Sequence, residues 1–168
     1  IDSPESIVKR NLWIIIGCFF PAGLIADRTA IENQPSVEGL VFLVSSQKNE
    51  IKLPGITICP RKGPLPLPSD RPFIGGLFLS SQARAFLENV KLSRARKKEV
   101  ARTLSKHELE EKLEDILRSR GIEGLNRLRD DAGKISIPLG LEKEYKILDG
   151  IIGSLLGTKS EKLESHSG

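Results

Sequence analysis

The sequence predicts an α+β fold: an N-terminal helix and a small, mainly antiparallel sheet with a short inserted helix, followed by a helical C-terminal half. Three observations predict it. Residues 39–45 are apolar on both faces, as a central strand requires, and a strand-like run over 50–59 follows a polar turn. From Ser80 onward the apolar residues recur at helical spacing. With 168 residues, 39% hydrophobic and 29% charged, the chain has material for one ordinary domain, which excludes collagen, coiled-coil and disulfide-scaffold classes.

The elements follow in order. Ser3 reads as an N-cap, with Pro4 at the first helical position and Glu5 in the first turn, so a helix starts there and runs to Pro21. Trp13, Ile14, Phe19 and Phe20 widen its apolar face, which predicts burial of the second half on several sides. Leu24 to Ala26 lead into Asp27, whose side chain is expected to cap a brief helix over 28–33, ended by Pro35. Residues 39–45 and 50–59 are expected to pair as a hairpin across 46–49, with a bulge or bend at Pro54-Gly55 where the alternation loses phase. Five prolines between Pro60 and Pro72 dictate an extended loop. A third strand over 73–79 precedes a helix capped by Ser80 or Ser81, with Ala83, Phe86, Leu87 and Val90 as its buried stripe. Ser105-Lys106-His107-Glu108 is a capping box that opens a helix to Arg120, stopped by Gly121, with Leu109, Leu113, Ile116 and Leu117 on one face. Two more helices are expected around 122–132 and 141–156. The expected organisation is a sheet-bearing part over 1–90, a basic linker over 91–104, a helical part over 105–157 and a flexible tail over 158–168, together one domain.

The longest apolar run, residues 12–20, is far short of the ~20 residues a bilayer-crossing helix needs, and Asp2 and Glu5 ahead of it do not fit a secretory leader. No membrane partner is expected and the cytoplasm is the expected compartment. Cys18 and Cys59 lie in apolar stretches and read as buried thiols, neither a disulfide nor a zinc pair. The chain lacks Met and opens on Ile1, which reads as a fragment of a longer protein.

For chemistry, His107 and His166 sit in polar surroundings and supply no Ser-His-Asp or Cys-His set, and neither phosphate-binding glycine motif occurs. No catalytic residue and no cofactor are expected. Glu50-x-Lys52, with Glu38 or Asp27 upstream, matches the strand-borne acid-x-Lys of metal-dependent nucleases, although an exposed strand edge produces the same letters and is the favoured reading. The net charge of +4 is concentrated in KLSRARKK, residues 91–98, which holds five bases and no acid. Lys91, Arg94, Arg96, Lys97 and Lys98, with Arg102 beyond them, are the candidates for contact with a nucleic-acid backbone. No aromatic residue interleaves with them, and a solvated linker is the simpler reading.

The stretches FPAGLIADRTAIEN, VFLV, IKLPGI, LFLSSQARAFLENV and LNRLRDDA, in that order, resemble the N-terminal region of large bacterial Fic-family (cell filamentation) proteins over about residues 3–158. The resemblance implies a regulatory or interaction domain preceding a catalytic Fic domain, its partner, which transfers AMP from ATP to a protein hydroxyl (AMPylation). That domain's motif, H-x-F-x-(D/E)-G-N-G-R, does not occur here. The resemblance marks Asp27, Arg28, Thr29, Pro54, Gly55, Glu88, Asn89, Arg127, Arg129 and Asp130 as structural residues of the family pattern. More distantly, residues 27–31 and 77–87 resemble the C-terminal domain of AbiEi-type antitoxins of toxin–antitoxin pairs, which carry a DNA-binding winged helix upstream. This implies an alternative in which residues 91–102 contact DNA.

Overall fold

In this computed structural model, which describes residues 2–91 and 100–167 and side chains as far as Gly157, local rules place the first elements. The Ser3 hydroxyl accepts from the Ser6 amide and opens α1 (Pro4–Arg10). The expected single helix is broken at Asn11, whose side chain donates to the Ile7 carbonyl at 2.9 Å and whose backbone leaves the helical region, so α2 (Leu12–Phe19) starts afresh. The α2 helix is not buried on several sides as expected. Its Leu12, Ile16 and Gly17 face inward, while Ile14 is 55% and Phe19 41% exposed. A Cβ on Gly17 would lie 2.0 Å from the Gly75 carbonyl oxygen, so only glycine lets the 3-10 turn Ile74–Gly76 lie against this helix. Cys18 is exposed and Cys59 half-buried, which corrects the reading of both as buried thiols.

The remaining elements are β1 (Leu24–Ile25), α3 (Asp27–Glu32), β2 (Leu40–Val44), β3 (Ile51–Leu53), β4 (Ile56–Arg61), β5 (Arg71–Pro72), β6 (Phe78–Leu79), α4 (Gln82–Val90), α5 (Lys106–Leu139) and α6 (Glu142–Ser167). The six strands form one mixed sheet in the order β3-β4-β2-β1-β6-β5, and three of its five pairings are antiparallel. The fold is therefore α+β with a helical C-terminal half. β2 is central and buried from Val41 to Val44, as its apolar faces require. The expected hairpin over 39–59 does not form. Pro54-Gly55 is a turn rather than a bulge: Gly55 takes φ 78 and folds β3 back on β4, with Leu53 opposite Ile56. β4 then lies parallel to β2, with Val41 beside Ile58. The third strand is likewise interrupted by the 3-10 turn, leaving β5 and β6 as an antiparallel pair.

Two cores result. Ile16 and Phe20 pack on Ile25, Val41, Leu43 and Ile58 beneath the sheet. A second core joins Phe86 and Leu87 of α4 to Leu113, Leu125, Leu128, Leu148 and Ile152 of α5 and α6. α4 thus belongs with the helical core, although it precedes the expected boundary. α3 bridges the two cores, with Ala30 against one and Ile31 against the other. The capping box at Ser105 and Glu108 is present, and α5 breaks at Gly121, where φ is 72. Beyond it the helix runs to Leu139, past the expected end, and α6 continues through Ser167, across the stretch read as a tail.

Candidate functional site

The densest polar chemistry lies between the two cores. Asp27 joins β1 to α3 with φ 55, a conformation that Asp adopts more readily than most residues. Its side chain does not cap α3, as expected, because it turns to two arginines: Arg61 Nε and Nη2 donate to it at 2.9 Å each, and Arg102 Nε at 3.0 Å. A carboxylate only 4% exposed requires such partners, since desolvation penalises an unpaired charge. Arg61 Nη2 also donates to Glu88 at 2.6 Å, and the other Glu88 oxygen accepts from Arg84 Nε at 3.1 Å.

Arg84 is fully buried. Its other donors reach Asp70 at 2.9 Å and the carbonyls of Leu65 and Pro64 at 3.1 and 2.6 Å. Asp70 in turn accepts from the amides of Leu67 and Ser81, both at 2.8 Å. Three carboxylates and three guanidiniums thus form one continuous clasp without net charge, and the proline-rich loop is fastened to it by its carbonyls. Burial alone would lower the pKa of the Arg61 guanidinium, but the hydrogen bonds and charges of Asp27 and Glu88 outweigh it and hold the group above its ordinary value. Arg28 shows the same balance, burial being outweighed by Glu32 at 2.7 Å and the charge of Glu108. Both remain cationic throughout the physiological range.

The clasp positions the start of the helical half. The Arg28 amide donates to the Arg102 carbonyl at 2.9 Å, Arg102 Nη2 donates to the Cys59 carbonyl at 3.1 Å, and its guanidinium lies 4.9 Å from the centre of the Phe42 ring. The Asn89 side chain accepts from the Leu104 amide at 2.9 Å and donates to the Ala85 carbonyl at 2.7 Å. Residues 101–104 are therefore built into the fold, and α5 is launched from a fixed point. Burial and the charge of Glu50 push the Cys59 thiol above its ordinary pKa, with Arg102 pulling the other way.

Asp27, Arg28, Glu88 and Asn89, all marked by the family resemblance, converge here, and Thr29 joins them by accepting from the Phe42 amide at 2.9 Å. Arg102, a candidate for contact with a nucleic-acid backbone, donates to Asp27 and keeps 30% of its side chain exposed. Pro54 and Gly55 form the β3–β4 turn, Arg127 and Asp130 are exposed on α5, and Arg129 pairs with Asp149 at 2.9 Å, tying α5 to α6. Lys91 is exposed at the end of α4, whereas Arg94, Arg96, Lys97 and Lys98 lie outside the described residues. Glu50 and Lys52 are exposed, and among the described residues no group of three or more His, Cys, Asp or Glu is placed to hold a metal ion. His107 is exposed and meets Glu111 at 2.8 Å, while the His166 side chain lies outside the description. Sequence reasoning missed Arg61 and Asp70, and it saw Arg84 only as a base ahead of the 91–98 segment. The Arg84–Glu88 spacing of i, i+4 on one helix was the available signal.

Beyond the clasp, the end of α4, residue 104, the first turns of α5 and the middle of α6 enclose a groove of about 530 Å³. Its surface is apolar, with Val90, Leu104 and Leu109 on one side and Ile147, Ile151 and Leu155 on the other. Lys106 and Glu110 stand among the lining residues. Compared with protein-family models, curated proteins and solved structures, the chain matches none.

Proposed function

We propose that the chain is a non-catalytic regulatory and interaction domain that docks a partner protein in the groove between α4, α5 and α6. The observation that carries this reading is the groove itself, an open, largely apolar surface between α4, α5 and α6. The resemblance to Fic-family proteins names the partner as a catalytic Fic domain, with the cytoplasm as the compartment. No described helix is long and apolar enough to cross a membrane.

Gly150 gives a clean test. It lines the groove, and an added Cβ there meets no atom within 4 Å, so Gly150→Leu fills the groove while leaving the fold intact. Within a helix the change favours folding by up to about 1 kcal/mol. Titrating a recombinant Fic-type catalytic domain by calorimetry is expected to give binding that Gly150→Leu weakens at least about tenfold. Absence of binding, together with duplex-DNA binding whose log–log salt slope is about −3 to −4, overturns the reading in favour of the antitoxin-like alternative through Arg94, Arg96, Lys97 and Lys98.

A further inference from the structure

We propose that the proline-rich strap over residues 62–68 is a second docking surface, read by a partner protein through a groove lined with aromatic side chains and rimmed with carboxylates. It lies outside the α4–α5–α6 groove and does not depend on it. Pro64, Pro66 and Pro68 have a fixed φ, and each restricts the residue before it, so the sequence directs residues 63–68 toward the polyproline II conformation. That conformation has three residues per turn, which puts Lys62, Leu65 and Pro68 on one ridge, about 19 Å long at 3.1 Å per residue. Burial follows the same period. Lys62, Leu65 and Pro68 are exposed, Leu65 at 76%, whereas Pro66 and Leu67 are half-buried and Leu67 packs on the helical core.

The fold holds the strap from beneath. The buried Arg84 donates to the Pro64 and Leu65 carbonyls, and Arg61 Nη1 donates to the Lys62 carbonyl at 3.1 Å. Asp70 closes the far end, its amide donating to the Leu67 carbonyl at 2.9 Å while its carboxylate accepts from the Leu67 amide. With these carbonyls turned inward, a partner meets an ordered ridge and little ordering entropy is lost on binding. Aromatic faces are what proline-rich ridges dock against. Charge selects the rim: between residues 60 and 81 the exposed charged side chains are Lys62 and Arg71, and the one acid of that stretch, Asp70, is buried against Arg84. Carboxylates complement two such cations. A second copy of this chain does not supply the groove, because Phe19, at 41%, is its one exposed aromatic side chain.

The test titrates the full chain into a panel of purified, fluorescein-labelled domains whose aromatic, acid-rimmed grooves take proline-rich peptides. Anisotropy is expected to show binding by at least one of them. Leu65→Glu and Lys62→Glu are each expected to weaken it at least about tenfold, and Gly150→Leu to leave it unchanged. Both strap positions are exposed, so circular dichroism melts of these variants should match wild type. Replacing the rim carboxylates of the bound domain by amides is expected to remove the dependence on Lys62. Binding by no member of the panel overturns the inference, as does binding indifferent to Leu65→Glu. Binding that Gly150→Leu abolishes belongs to the α4–α5–α6 groove and overturns it too. A wild-type dimer in sedimentation that Leu65→Glu dissociates makes a second copy the occupant and likewise overturns the inference.

Discussion

Replacing Asp27 separates the two things this residue does. Its carboxylate meets Arg61 and Arg102 at 2.9–3.0 Å with 4% of the side chain exposed, and removing one partner of a buried pair costs about 3–5 kcal/mol. Arg61 and Arg102 are 26% and 30% exposed, so water takes over part of their solvation once the carboxylate is gone. Asp27→Asn is therefore expected at the low end, about 3 kcal/mol, because Asn keeps an acceptor oxygen and tolerates the left-handed backbone. Asp27→Ala loses both and strains φ 55, adding about 1 kcal/mol. For a chain of this size each kcal/mol moves the melting temperature by about 2–4 °C, so Asp27→Asn should melt about 6–12 °C below wild type. Circular dichroism melts and urea titrations of the three proteins measure this directly. An Asp27→Asn protein melting within about 2 °C of wild type refutes the clasp as a source of stability, and equal melts for Asn and Ala refute the backbone argument.

Arg84→Met leaves Asp70 and Glu88 buried without their shared cation and unfastens the loop carbonyls, so it is expected to cost about 3–5 kcal/mol and to speed proteolysis near Leu65; unchanged cleavage counts against the fastening role. Trp13 is half-buried and meets Phe73 edge-on at 5.3 Å, so Trp13→Ala should cost about 2–3 kcal/mol in urea titration, less than a fully buried tryptophan; no loss would leave the contact without energetic weight. Iodoacetamide should modify exposed Cys18 before Cys59, and Glu50→Gln should speed labelling at Cys59 by removing one cause of its raised pKa, as peptide mass spectrometry resolves. The folded Cys59 thiol holds its proton to higher pH than the unfolded one, so its contribution to stability is complete at neutral pH and fades as pH rises through the thiol range. Incubated with labelled ATP and candidate proteins, the chain alone is expected to transfer no label above a buffer control.

Elements governed by local rules were legible in the sequence. Ser3, Ser81 and Ser105 cap helices where their spacing places them, β2 is central because both its faces are apolar, and Gly121 interrupts the helix it was expected to end. The break at Asn11 was local and missed, but the failures in the sheet and at Asp27 were set by partners distant in sequence. Pro54-Gly55 shows where regular alternation stops, but that the chain reverses there follows from β4 pairing with β3 on one side and, in parallel, with the distant β2 on the other. Asp27 satisfied the rule for a helix cap, yet two guanidiniums outcompete the free amides of a six-residue helix. For the site, the family resemblance marked Asp27, Arg28, Thr29, Glu88 and Asn89, while Arg84 showed only its i, i+4 spacing to Glu88, and Arg61 and Asp70 stayed hidden because an isolated charge looks the same in sequence whether solvent or a carboxylate receives it. Arg102 was grouped with the basic run for that reason.

The clasp also settles how the chain can be divided. Its members come from positions 27, 61, 70, 84, 88 and 102, on both sides of the basic run, and the Asp27–Arg102 bond spans 75 residues. A cut within residues 92–99 would separate Asp27 from Arg102 and the Asn89 side chain from the Leu104 amide, and it would split the second core by leaving α4 with the sheet. Each fragment would expose apolar surface and lose partners that the other supplies, so neither half is expected to fold on its own. Transplanting this chain is expected to succeed only if α1, α2 and β1, whose Val8, Leu12, Ile16, Phe20 and Ile25 complete the first core, travel with the clasp, α5 and α6.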